Sequence, residues 1–329
     1  MKPMTSIAAL SALTILLAAC ATSGSAGTVP PGGATQEPSV IQGSPDLTAE
    51  PSTLPSGSPA PSADPSASTS PSPTPPEGTT VIRAYFYFES VPGSSGLVPI
   101  LREVPATKAV ATAAMAALLE GPDKTESGAM SSAIPAETRL LGLTIKDGVA
   151  TVDLSSEFES GGGSASATIR LGQVVYTLTQ FPTVKSVVFQ VDGRTVTVFG
   201  SEGIVLDGPV TRADYVDQLP AIFVDRPAYG ASIGNPARIT GSANVFEATF
   251  RITIIDGDGG TVADQSTLAN CDSACQAACG DNGCRPSFDV TVQYDVPTAQ
   301  WGTLRVWAGS AKDGSPVSVR EYPVWLTPG

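Results

Sequence analysis

Histidine is absent from all 329 residues of this chain. With it go the commonest general base near neutral pH and the commonest metal ligand, and a serine–histidine catalytic pair is excluded outright. Cations are scarce: 18 Lys and Arg stand against 31 Asp and Glu, a formal net charge of -13. Nucleic acid is therefore not expected as a partner, because phosphate neutralisation needs clustered cations. A polybasic hold on anionic lipid is excluded for the same reason. Aromatics make up 6% of the chain, and the first of them is Tyr85. The apolar run Ile7 to Leu17 is well short of the ~20 residues a spanning helix needs.

What that short run does offer is an address. Lys2, the apolar residues to Leu17 and the small pair Ala18-Ala19 precede Cys20. A charged start, an apolar stretch and a small-residue cleavage site make a secretory signal. With cysteine in the first mature position, the segment resembles a bacterial lipobox. The resemblance implies cleavage after Ala19, a diacylglyceryl thioether on Cys20, and a lipid-anchored protein on the extracytoplasmic face of the cell membrane. Residues 1–19 are thus expected as signal peptide and Cys20 as the lipidation site.

Residues 20–78 are rich in Pro, Ser, Thr, Gly and Ala, as in Ser70-Pro71-Ser72-Pro73-Thr74-Pro75-Pro76. Such a composition buries too little apolar surface to offset ordering entropy, so a disordered linker is expected. Fully extended it would reach about 180 Å, and as a flexible coil about 45 Å. Its role is read as a spacer between the bilayer and the folded domains.

Residues 79–200 carry the first domain pattern. Val81 to Phe88 alternates as a strand with both faces apolar, and Leu97 to Val104 is a second extended run. Thr107 is placed to cap a helix whose stripe is Val110, Ala113, Ala114, Ala117 and Leu118, stopped by Gly121-Pro122. Leu140 to Lys146 and Val149 to Leu154 flank Asp147-Gly148, a hairpin turn signal. Ser164 or Ser166 is placed to cap a second helix with stripe Leu171, Val174, Val175 and Leu178. A further hairpin is expected between Val184–Val191 and Val196–Phe199 around Asp192-Gly193. This is an α+β arrangement with helices on one sheet face.

Several blocks in this region resemble a known family: Leu119-Glu120-Gly121-Pro122, Ile134-Pro135, Gly148 to Ser155, Gln173 to Thr179, and Val187 to Gly193. Together they are similar to the GerMN domain of sporulation and spore-germination proteins and LpqB-type lipoproteins. The resemblance implies an α+β fold and brings no catalytic residues with it.

Residues 201–219 read as a connector with one amphipathic turn at Tyr215. From Pro220 onward, short β-rich runs separated by turn residues indicate a sandwich, with Trp307 and Trp325 expected as core aromatics. Pro227 with Gly230, Gly241-Ser242-Ala243 before Phe246-Glu247-Ala248, and Asp313-Gly314-Ser315 resemble the immunoglobulin-like domain of bacterial spore germination. Residues 220–329 are assigned to it, with a cysteine-rich insertion at 270–286. The expected fold class is thus an α+β GerMN-like domain followed by an all-β immunoglobulin-like sandwich, behind the signal and linker.

Cys271, Cys275, Cys279 and Cys284 are disulfide candidates in an exported chain, in any of three pairings; their gaps also fit paired thiolates on zinc, and free thiols remain open. Asp256-Gly257-Asp258-Gly259-Gly260 lacks the ligand pattern of a calcium loop and reads as a strand-end turn. Asp153, Glu157 and Glu159 read as solvated. Gln173 and Thr177, polar residues on one helix face, are either contacts for a partner or hydrogen-bonded to neighbouring backbone. No catalytic residue, metal or cofactor is assigned. The function expected is a non-enzymatic interaction or assembly module with a protein partner at the cell surface. A binding protein for a small molecule or wall glycan, and a wall-active enzyme, are the alternatives.

Overall fold

The computed structural model describes residues 78–89, 94–277 and 285–329. The signal, Cys20, the linker up to residue 77, Cys279 and Cys284 lie outside them.

Strands β1 (Thr79–Phe88) and β2 (Gly96–Pro105) pair antiparallel along their whole length. Helix α1 (Val110–Glu120) follows, with Ala111, Ala114, Met115, Ala117 and Leu118 buried. Thr107 is not its cap. Ala109 holds that position, while the Thr107 hydroxyl accepts from the Ala109 N–H at 3.0 Å in the turn before it. The short β3 (Met130–Ser131) pairs with the end of β1.

A second sheet has the order β4-β5-β6-β7. In it β4 (Leu140–Lys146) and β5 (Val149–Leu154) form the expected hairpin. Its turn residues Asp147 and Gly148 have φ of 52° and 84°, the left-handed values a tight two-residue turn requires. Helix α2 (Ser164–Leu178) then crosses over to β6 (Ser186–Val191), which runs parallel to β5. A parallel pair needs such a crossover. Gly163, not a serine, is the N-cap of α2.

The last expected hairpin divides in two. Asp192-Gly193 turns β6 into β7 (Arg194–Thr195), but Val198-Phe199 forms β8 and pairs with β9 (Ile204–Val205). Phe199 is fully buried beside Phe158, ring centroids 5.2 Å apart. Anchoring that ring takes the chain out of the β6 ladder.

A 3₁₀ turn at Arg212–Gln218, closed by a capping box of Thr211 and Asp214, buries Tyr215 and leads into the second domain. There β10 (Ile222–Arg226), β11 (Ser232–Ile233), β12 (Ala237–Ala243), β13 (Thr249–Ile255), β14 (Thr261–Leu268), the short α3 (Ser273–Ala277), β15 (Ser287–Val292), β16 (Gln300–Gly309) and β17 (Pro316–Leu326) follow. The sheets are β10-β12-β15 and β11-β17-β16-β13-β14. They face one another through Phe250 and Phe288, centroids 4.8 Å apart, and through Tyr322, whose hydroxyl accepts from the Val224 N–H. Gly241 is required here: a Cβ would stand 1.9 Å from the Phe223 carbonyl oxygen.

Trp307 and Trp325 are not core residues. Leu304, Val306 and Ala308 of β16, and Tyr322, Val324 and Leu326 of β17, fill the interior. Strand alternation therefore turns both indoles to the outer face. Where both faces of a strand are apolar, the sequence pattern does not say which one is covered.

Candidate functional site between the domains

Of the two readings for Gln173 and Thr177, partner contact or hydrogen bonding to neighbouring backbone, the structure shows the second. Gln173 and Thr177 are fully buried on α2 against β1. β1 pairs with β2 on one side, and on the other its backbone is met by side chains. The Gln180 amide accepts from the Arg83 N–H at 2.8 Å and donates to the Arg83 carbonyl at 2.7 Å. The Thr177 hydroxyl accepts from the Tyr85 N–H at 3.2 Å, and Gln173 Nε2 donates to the Tyr85 carbonyl at 2.9 Å. The other end of the Gln173 amide accepts from the Ala133 N–H at 2.8 Å. Two polar side chains of α2 and one from the turn that follows it thus stand in for a neighbouring strand. Exposed strand edges invite pairing; this one is closed from within.

Arg170, one turn before Gln173, is buried as well, and sequence reasoning did not single it out. Its guanidinium donates to the carbonyls of Ala133, Phe158 and Gly161 and lies about 6 Å from the Phe158 and Phe199 rings. One cation ties together the β3–β4 and β5–α2 connections. A lone arginine among apolar neighbours, seven residues after a glycine run, was the available signal.

The two domains meet through a second polar set. The Tyr85 hydroxyl, from the middle of β1, donates to Asp225 Oδ1 of β10 at 2.9 Å. Arg212, from the connector, lies 3.9 Å from the same carboxylate and donates to the Thr179 hydroxyl at 2.8 Å and the Tyr176 carbonyl at 3.1 Å. Its guanidinium is 4.8 Å from the Tyr176 ring centroid and 5.6 Å from that of Tyr85. Burial opposes its charge, but the Tyr85 hydroxyl and Asp225 outweigh that, and the group is held above its ordinary value. Burial first of all pushes the Tyr176 phenol up to about 12, and carries Tyr85 above the usual phenol range. On the other side of the junction, buried Arg320 of β17 donates to the Ser94 carbonyl and stacks 3.8 Å from the Phe88 ring centroid. Between them Gly96, at φ 147°, lets β2 approach the Leu219-Pro220 backbone, where a Cβ would come within 2.5 Å of the Pro220 nitrogen.

Beside this junction opens a cleft of about 680 Å³, with Tyr176 and Arg212 at one side and Phe223, Asn270, Arg285 and Phe288 at the other. Arg285 donates to the Ser242 hydroxyl at 2.8 Å and to the Pro220 carbonyl, and burial lowers its pKa. The cleft offers guanidinium, amide and hydroxyl donors above aromatic rings. That set, with the Asp225 and Asp289 carboxylates also in the lining, can bind a polar group.

The remaining candidates are dispersed. Cys271 and Cys275 form a disulfide, Cα atoms 5.2 Å apart. Asp256 Oδ1 accepts from the N–H groups of Asp258 and Gly260, closing a turn after β13. Asp153 accepts from the Gly193 N–H, Glu157 pairs loosely with Arg139, and Glu159 accepts from the Gly200 N–H. Each of the three links its own segment to one distant in sequence. Gly230-Ala231-Ser232-Ile233-Gly234 has the spacing of a nucleophile elbow, but Ser232 is exposed on the two-residue β11 and the chain has no histidine to serve it. Among the described residues, no group of three or more His, Cys, Asp or Glu is placed to hold a metal ion. Among the same residues, no helix is long and apolar enough to cross a membrane.

Comparison with known proteins follows these divisions. Residues 84–197 match the Germane family model, described as sporulation and spore germination, and residues 221–315 match Gmad2, the immunoglobulin-like domain of bacterial spore germination. No curated protein is significantly similar in sequence. Among solved structures, the first GerMN domain of GerM from Bacillus subtilis is 20% identical, with 41% of this chain and 98% of that one covered and a TM-score of 0.34. The tandem GerMN domains of the same protein are 15% identical, covering 64% and 71%, with a TM-score of 0.36. A candidate lipoprotein from Clostridium perfringens is 22% identical, covering 44% and 95%, with a TM-score of 0.30. The chain thus carries a Germane domain of the sporulation and spore germination type, followed by a Gmad2 immunoglobulin-like domain of bacterial spore germination.

Proposed function

We propose that this protein is a non-enzymatic contact module, held on the extracytoplasmic face of the cell membrane by a lipid on Cys20, and that its joined domains present one surface to a protein partner. The observation that carries this reading is the use made of the polar groups at the domain junction. Tyr85, Asp225 and Arg212 are bonded to one another, and Arg320 to Ser94. Side chains able to do acid–base or nucleophilic work serve here as a joint. The lipid rests on the pattern around Cys20, and the partner on the character of the two domain families.

Two measurements test it. Photo-crosslinkers placed at exposed Val205 and Phe246 are expected to give discrete protein adducts in cells, and Cys20→Ser is expected to move the protein from the membrane to the soluble fraction. Absence of adducts from every exposed position, or an acyl-free wild-type protein in the soluble fraction, overturns the reading. A second reading, a small polar molecule bound between the domains, is favoured by the cleft at Arg285 and Asn270. It requires that Arg285→Ala abolish binding of that molecule while leaving the crosslinks intact.

A further inference from the structure

All three tryptophans of the chain lie on the outer face of a single sheet of the second domain. Trp301 of β16 is 53% exposed and stands opposite Trp325 of β17, the two rings edge-on with centroids 5.4 Å apart. Trp307, on the same strand as Trp301 and also partly exposed, is flanked by Arg251 of β13, whose guanidinium is 5.7 Å from the ring centroid. Six residues of strand separate Trp301 from Trp307, about 20 Å at the ordinary rise. Indoles are costly to leave in water, and between the two ends of this row lie Thr303, Pro323 and the Arg305–Glu321 pair.

The charges on this face choose among occupants. Arg251 is paired with Asp264 through two hydrogen bonds, and Arg305 lies 3.7 Å from Glu321. Each cation has its anion, so the face carries no net field to draw a charged peptide, and the chain's net charge of -13 repels an anionic membrane. An uncharged ligand with flat apolar faces and hydroxyl-bearing edges is complementary to it. At the Trp301 end the face runs into a pocket of about 390 Å³, walled by Trp301, Pro323 and Tyr229 from this domain and by Leu101 and Thr125 from the other. The strip is thus about the length of a short oligosaccharide, and it ends in a recess large enough for a sugar ring.

We propose that the tryptophan-bearing outer face of β16 and β17, with the recess at Trp301, binds a neutral strand of linked pyranose sugars, whose rings stack on the indoles. The site is remote from the cleft at Arg285 and stands whether or not the contact-module reading holds.

The test uses the full-length lipidated protein in neutral detergent and a β-1,4-linked hexamer of N-acetylglucosamine as probe. Tryptophan emission reports this face alone, because every tryptophan is on it. A saturable change in emission is expected on adding the hexamer, unaffected by raised salt. Trp301→Ala should weaken binding about tenfold, the scale of one lost aromatic contact, while Trp301→Phe keeps most of it and Val205→Ala, in the other domain, keeps all of it. Should Trp301→Ala fail to fold by circular dichroism, Trp301→Phe and Trp325→Phe together carry the test, with a loss of severalfold expected. No saturable change with the hexamer, full affinity in Trp301→Ala or in the double phenylalanine variant, loss of binding on raising salt, or a response to phosphatidylglycerol vesicles in place of the hexamer would each overturn the proposal.

Discussion

Replacing Gln173 by leucine tests how the first domain closes its central strand. The side chains are close in volume, so the substitution leaves the packing of α2 and removes only the amide. What it strands is specific. The Tyr85 carbonyl, fully buried, loses its donor at 2.9 Å, and the part-buried Ala133 N–H loses its acceptor at 2.8 Å. A buried polar group deprived of its partner costs about 1–3 kcal/mol. Two of them, less the small gain from burying an aliphatic side chain, amount to about 3 kcal/mol. For a folded region of this size that lowers Tm by about 6–12 °C. Urea unfolding followed by far-ultraviolet circular dichroism measures it directly: the midpoint should fall with the slope unchanged. Gln173→Glu retains an acceptor for Ala133 but has no donor for Tyr85 at neutral pH and places a charge at a fully buried position, a cost that cancels the retained bond, so it should rescue none of the loss. If leucine costs less than about 1 kcal/mol, or glutamate is indistinguishable from wild type, α2 does not substitute for a strand and the argument fails.

Three further outcomes follow from the same geometry. Asp225→Ala leaves the Tyr85 hydroxyl without its acceptor and Arg212 without its counter-ion, and should cost about 2–3 kcal/mol; in a double-mutant cycle with Tyr85→Phe the two losses should fall short of additivity by about 1 kcal/mol. Because Tyr176 is pushed up to about 12 in the fold, it keeps its proton where the unfolded chain loses one near pH 10. Its contribution is therefore fully present below about pH 10 and lost as pH rises toward 12. Alkaline titration at 295 nm should show phenolate appearing with unfolding, and a smooth titration of every tyrosine in the native protein would contradict it. Reducing the Cys271–Cys275 bond, which closes only a short local loop, should lower stability by no more than about 2 kcal/mol; partial reduction with alkylation should recover that pairing.

Much of the architecture was legible because it depends on local chemistry. Apolar alternation through Val81–Phe88, the Asp147-Gly148 and Asp192-Gly193 turns, and the stripe of α2 each follow from the conformations neighbouring residues allow. So does the capped turn that buries Tyr215. The family blocks extended this to two domains. Choices between faces and between partners were not legible. The polar stripe Gln173, Thr177 and Gln180 has one appearance whether it faces a ligand or an unpaired strand, and only the position of β1 decides. Val198-Phe199 left its expected hairpin because Phe199 joins the ring of Phe158, a neighbour distant in sequence.

By itself, then, the sequence determined that no histidine chemistry operates, where strands and helices form, and which two domain types follow one another, since each depends on composition or on contacts within a few residues. Tertiary structure alone decided that Tyr85 and Arg212 meet Asp225, that Arg170 ties two loops together, and that the tryptophans face outward. Those outcomes depend on which surfaces the packed sheets cover and which buried polar groups are brought within hydrogen-bonding reach, and neither is encoded in local periodicity.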